Sequence, residues 1–135
     1  MRAFQEEMEE FRIQFHQQQQ KKGWQSIQWV HQSNEGRAIE GEFRGQLEKG
    51  IPHGLGVWMD DGTRKIEAEW REGVLHGRAV EYQPKGRVES EMVEGKQHGK
   101  SIWFWSNGDR LLREFRHGKM EREELAVADE FSFYL

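Results

Sequence analysis

The chain has 135 residues, 33% of them charged, with a formal net charge of −4. That length suits one domain, the balance lacks the basic excess of a nucleic-acid binder, and the absence of cysteine excludes disulfides and thiolate chemistry. Only 35% is hydrophobic, but six Trp, eight Phe and two Tyr concentrate that material in rings, and fifteen Gly against two Pro indicate many tight turns, the numbers of a thin β fold rather than a helical bundle.

Residues 1–22 predict an amphipathic helix and linker. Phe4, Met8, Phe11 and Phe15 recur at spacings of 4, 3 and 4, one stripe of a helix, and the glutamates cluster in its early turns, where the helix dipole favours them. The stripe predicts either a cap folded back on the rest of the chain or a helix that binds a partner, a homodimer included; QQQQKK then reads as the helix end and linker. The same acidic stretch lacks the apolar run of a signal peptide, and no segment approaches the roughly 18–20 apolar residues of a membrane span, so a cytoplasmic protein is expected.

Residues 23–118 carry an internal repeat. GIPHG, GVLHG and GKQHG begin at Gly50, Gly73 and Gly95, and a fourth, altered copy, GKMER, begins at Gly118; the steps are 23, 22 and 23 residues. A second set of turns lies between these cassettes: SNEG at 33–36, DDG at 60–62, PKG at 84–86 and SNG at 106–108. Each unit therefore predicts strand, glycine turn, strand and His-Gly turn, in about four units. The strands after the glycine turns, IEGEF, IEAEW, VESEM and LLREF, alternate with period 2, as half-buried strands do. The column Gly41, Ala68, Ser90 and Arg113 lies between two apolar columns, and Glu42, Glu69, Glu91 and Glu114 occupy the opposite face. The strands before those turns, GVWMD, AVEYQ and SIWFW, carry large residues on both faces, so their buried face is open; GWQSIQWVHQ predicts the first strand of an irregular leading unit.

Residues 119–135 predict a capping helix, KMEREELAVADE, and an apolar tail, FSFYL, that packs on the last repeat or docks in a partner. Stacked hairpins share one apolar stripe and leave open ends, for which the two flanks are candidate covers.

Equivalent side chains in two-strand repeats stand about 10 Å apart, too far for His53, His76 and His98 to share one metal ion. They are expected as structural turn residues, with Gly54, Gly77 and Gly99 taking positive φ. No metal or other cofactor is expected. No nucleophile elbow, phosphate loop or HExxH motif occurs, and carboxylates repeated in register are unlike an asymmetric catalytic constellation, so an enzyme is not expected. The glutamate column reads as a solvated face that nearby Arg44, Arg71 and Arg116 partly neutralise, or as an attractor of basic partners. Trp58, Tyr82, Trp103 and Trp105 lie on the two-sided strands and join Phe4, Met8, Phe11 and Phe15 as candidate partner-binding residues.

The run IEGEF…EKGIPHGLGVW, followed by IEAEWREGVLHG, resembles the MORN repeat, over about residues 24–120. Gly41 matches that family's strand glycine, whereas Ala68, Ser90 and Arg113 depart from it. These departures, with HGRAVEYQPKGRVESEMVEGKQHGKSIWFWSNG, are closer to the bacterial MORN-variant repeat, some members of which are antitoxin components. The resemblance implies an elongated sheet used in protein–protein contact, and sometimes proposed for phospholipid contact.

The expected fold is mainly β: an elongated single-layer antiparallel sheet of stacked β-hairpin repeats, with N-terminal and short C-terminal helices as caps. The expected function is a non-catalytic module that binds another protein and no nucleic acid. An adaptor on anionic membranes is the alternative; it needs a basic patch, for which only Lys21, Lys22 and the loop lysines 49, 65, 85, 96 and 100 are available. A small enzyme with an unrecognised site is the second alternative.

Overall fold

The structure, a computed structural model, describes residues 3–21, 23–33 and 36–128. The first element is α1 (Phe4–Gln19). The strands follow in order: β1 (Gln25–Gln32), β2 (Ala38–Glu48), β3 (Ile51–Met59), β4 (Lys65–Arg71), β5 (Val74–Gln83), β6 (Gly86–Val93), β7 (Lys96–Trp105), β8 (Arg110–Arg116) and β9 (Lys119–Ala126). They form one antiparallel sheet in which each strand pairs with its neighbours in sequence. The expected stack of hairpins and the N-terminal helix are both present.

The C-terminal helix is not. Residues 119–126 form β9, which lies against β8 with Met120 opposite Phe115, Leu125 opposite Leu111, and Arg113 Nε donating to Glu123 Oε2 at 2.9 Å. The open edge of β8 offers a full ladder of backbone bonds, and that outweighs the few tenths of a kcal/mol per residue by which Glu, Arg and Leu favour helix. Residues 129–135, with the FSFYL tail, lie outside the described residues.

The cassettes also differ from expectation. The reversals are made one step earlier, by Lys49-Gly50, Glu72-Gly73, Glu94-Gly95 and His117-Gly118, both residues of each pair having positive φ. That is the twist a two-residue hairpin requires. His53-Gly54, His76-Gly77 and His98-Gly99 lie within β3, β5 and β7, next to register shifts, and the glycines take φ of 105°, 115° and 89° there. They serve as bulges inside strands, not as turns.

The two faces of the sheet bury different cores. On the helix face α1 lies across the strands, sinking Phe4, Met8, Phe11 and Phe15 against Val57, Val80 and Ile102. On the other, the ring face, Phe43, Trp58, Ile66 and Trp70 pack on one another and on β1. Trp58 crosses Gly41, where an added Cβ would meet its ring at 2.6 Å, and donates Nε1–H to the Trp29 carbonyl at 2.9 Å. Trp70 donates to the Gly56 carbonyl at 3.1 Å. Trp29 reaches the Gly73 carbonyl at 3.0 Å. β1 and the β4–β5 turn would stand roughly 14 Å apart in a flat sheet, so this bond shows the first strands curling toward the ring face.

Candidate interaction surfaces

The helix face is filled where α1 crosses it. A cross-strand row alternates apolar and acidic residues from Val57 through Glu67, Val80 and Glu89 to Ile102, and continues with the apolar Leu112. Glu67 and Glu89 are buried and held from both sides, Glu67 by His16 of α1 at 3.4 Å and Lys65 at 3.8 Å, Glu89 by Arg12 of α1 at 3.7 Å and Arg87 at 2.9 Å. These pairs fix the helix's position along the sheet as well as its depth.

On either side of that row the charges interleave. Glu69 accepts from Arg78 at 3.0 Å, Arg78 stands opposite Glu91, and Lys100, Glu114 and Arg122 continue the alternation. The expected glutamate column is real for Glu69, Glu91 and Glu114, but each alternates with a cation from the neighbouring strand. Glu91 is held above the usual carboxylate range by burial and by the nearby Glu7. At the opposite margin, cations stack on rings: Lys65 over Tyr82 at 4.8 Å, and Arg87 and Arg110 over Phe104 at 4.3 and 5.2 Å.

α1 stops short of the last two strands. Where it begins, a cavity of about 330 Å³ opens between Phe4, Ile102 and Leu112, with Lys100, Glu114, Arg122 and Glu124 around it. Beyond that step β8 and β9 have no helix over them among the described residues.

The ring face changes along the sheet. One cross-strand row runs Gly45, Gly56, Ala68, Ala79, Ser90, Ser101 and then Arg113 and Glu123. Rings can lie flat where that row has no side chain, as Phe43 does over Gly56. Where β1 folds over β3 and β4 the face is closed: His31 sits between Trp58 and Trp70, with ring centroids 5.0 and 6.2 Å away, and burial, aided by Arg64, lowers its pKa to about 4. In β7–β9 the same face is open. Trp103 and Trp105 stand edge to face at 5.9 Å, both half-buried, and Met120 and Leu125 are 52% and 57% exposed.

The candidate residues therefore separate. Phe4, Met8, Phe11 and Phe15 are buried against this chain's own sheet, and Trp58 is fully buried, so as placed they form core rather than a docking surface. Tyr82 is half-buried beside the helix core and under Lys65. Trp103 and Trp105 remain accessible. Phe115, Met120 and Leu125 join them; the last two were missed because residues 119–130 were expected to be a helix, while Phe115 was assigned to a strand whose outer neighbour was not foreseen. Among the described residues no three His, Asp or Glu side chains gather with metal-ligand geometry, and no helix is long and apolar enough to cross a membrane.

The MORN repeat family model matches three times, at residues 40–64, 67–86 and 89–110. The chain belongs to the MORN-repeat family. Each match covers most of one β-hairpin unit with its glycine turn, while α1, β1 and nearly all of β8 and β9 lie outside the matches. MORN repeats are in general non-catalytic modules for interaction or membrane binding. No curated protein matches the chain.

Proposed function

We propose that this MORN array is a non-catalytic scaffold that docks another protein on the ring face of β7–β9. The observation that carries the reading is the change along that face, from rings sealed under β1–β3 to Trp103 and Trp105 standing open beside Met120 and Leu125. Three strands spaced about 4.8 Å, each eight or so residues long, present roughly 400 Å². That is about half of what each partner contributes to a standard interface between folded proteins, roughly 800 Å². It fits one helix with an apolar stripe, the kind of element α1 already lays on the other face. Trp anchors and the flanking Arg113–Glu123 pair would set its position. The most concrete form is an antitoxin-like role, the array holding a second protein inactive by covering that helix.

A photo-crosslinker placed at Trp105, compared with one at Gln17 on the outer surface of α1, tests this in the native source. A specific adduct at Trp105, lost on Trp103→Ala, supports the reading; equal adducts at both positions would count against it. Co-expression with the captured protein then tests inhibition.

A second reading, an adaptor on anionic membranes, draws on the stacked cations of Lys65, Arg87 and Arg110. Two of the three already face buried carboxylates, which weakens it. Sedimentation with phosphatidylserine vesicles at low salt decides it, and unbound protein removes the reading.

A further inference from the structure

One margin of the sheet repeats the same joint three times. The two left-handed residues of each turn donate their N–H groups back to the preceding repeat. The glycines Gly73, Gly95 and Gly118 donate to the carbonyls of Pro52, Leu75 and Gln97 at 2.9, 2.8 and 2.8 Å. The residues before them, Glu72, Glu94 and His117, donate to Nδ1 of His53, His76 and His98 at 3.3, 3.1 and 3.2 Å. The sequence separations are 19, 18 and 19 residues, so the joint recurs with the repeat. Half of the bonds that tie successive turns together at this margin thus end on an imidazole.

An imidazole nitrogen accepts only while it keeps its lone pair. In these joints the proton must sit on Nε2, and a second proton converts Nδ1 into a donor that faces another donor. The rings are partly open to solvent. His53 and His76 line a groove of about 560 Å³ beside Gln14 of α1. Glu69 and Arg78, paired with each other at 3.0 Å, and Arg71 line the same groove. His53 Nε2 faces Glu48 at 3.3 Å, as a donor there requires, whereas His76 Nε2 lies 3.4 Å from the donor Arg71 Nη1, so at that joint the Arg71 contact competes with the Glu94 bond for the ring's single acceptor; the tilted ring of His117 lies 4.9 Å from His98, with Glu91 within electrostatic range. From α1, Gln14 is uncharged, and Glu7 acts on Glu91.

We propose that His53, His76 and His98 form a proton-sensitive seam: neutral, they hold each turn to the repeat before it, and on acidification they release all three joints while the carbonyl bonds beside them persist. The inference is independent of the docking reading, although the last joint adjoins the β7–β9 face and would alter its curvature.

Amide hydrogen exchange of the whole chain by NMR, corrected for intrinsic rates, reads both sets of bonds in one sample. From pH 7.5 to pH 5.5, protection of Glu72, Glu94 and His117 should fall about fivefold to tenfold relative to Gly73, Gly95 and Gly118. His76→Asn keeps an acceptor in place and removes the titration, so in that variant Glu94 should keep its pH 7.5 protection at pH 5.5. Parallel behaviour of the two sets, a Glu94 amide that still loosens in His76→Asn, or imidazole nitrogen shifts that place the pH 7.5 proton on Nδ1, would each overturn the proposal.

Discussion

In β2–β4 the rings of Phe43, Trp58 and Trp70 are buried; in β7–β9 those of Trp103, Trp105 and Phe115 occupy the same face and stay half-exposed. Backbone geometry is shared, for every pair is antiparallel and the same cross-strand rows run through both regions. The difference lies in what stands between the rings. Glycine at positions 41, 45 and 56 lets an indole or phenyl ring lie on the neighbouring strand, and indole N–H groups find backbone carbonyls there. Serine at 90 and 101, then Arg113 and Glu123, fill that space, so rings stand up instead of lying down. A repeat can thus keep its fold while turning core aromatics into surface aromatics, by enlarging one residue per strand.

The largest effect that would break this comparison is on stability. Trp58→Ala should cost about 4 kcal/mol, the loss expected for a fully buried large ring, whereas Trp105→Ala should cost about 1 kcal/mol or less. Urea unfolding of the two variants reads the contrast, and equal losses would mean that the distal face is as tightly built as the proximal one.

Next in size is the pH response of the proximal core. His31 is neutral and buried, with a folded-state pKa of about 4 against an ordinary 6.5. Below about pH 6.5 the unfolded chain takes a proton that the folded chain refuses. Stability is therefore intact above that pH, declines as pH falls toward about 4, and changes no further below it through this group. The full loss is roughly 3 kcal/mol. The difference between the parent and His31→Leu, measured by unfolding across pH 7 to 4, isolates it from the seam histidines and the carboxylates.

The smallest effect belongs to the distal pair. Arg113 and Glu123 are about 40% exposed, so a double-mutant cycle to alanine should give a coupling of about 0.5 kcal/mol that salt reduces. A much larger coupling would show that the pair is shielded, against an open face.

Much of this was legible in the sequence, because turns and alternation are local. The positions of the hairpins follow from glycine spacing, and the helical stripe from the steps between Phe4 and Phe15. Three matters were not local. β9 forms because β8 needs a partner, which propensity over KMEREEL does not register. The role of the cassette histidines depends on which turn lies beside each ring; the separation of 18 or 19 residues from each His to the residue before the next glycine was visible, but its meaning required the bulge. The burial of His31 depends on the sheet curling until Trp29 meets Gly73. Within SIWFW the two-sided pattern reflects the two faces of the sheet, Phe104 on the helix side and Trp103 and Trp105 on the ring face.

The crossing of α1 has a consequence for how the molecule comes apart. A sheet whose strands pair only with their sequence neighbours behaves as a one-dimensional stack, able to unzip a hairpin at a time. α1 interrupts that freedom. Through Phe4, Arg12 and His16 it reaches Ile102 of β7, Glu89 of β6 and Glu67 of β4, so those hairpins must open together. The β8–β9 hairpin lies past its reach and is free to fray first, like the loose end of a bound book.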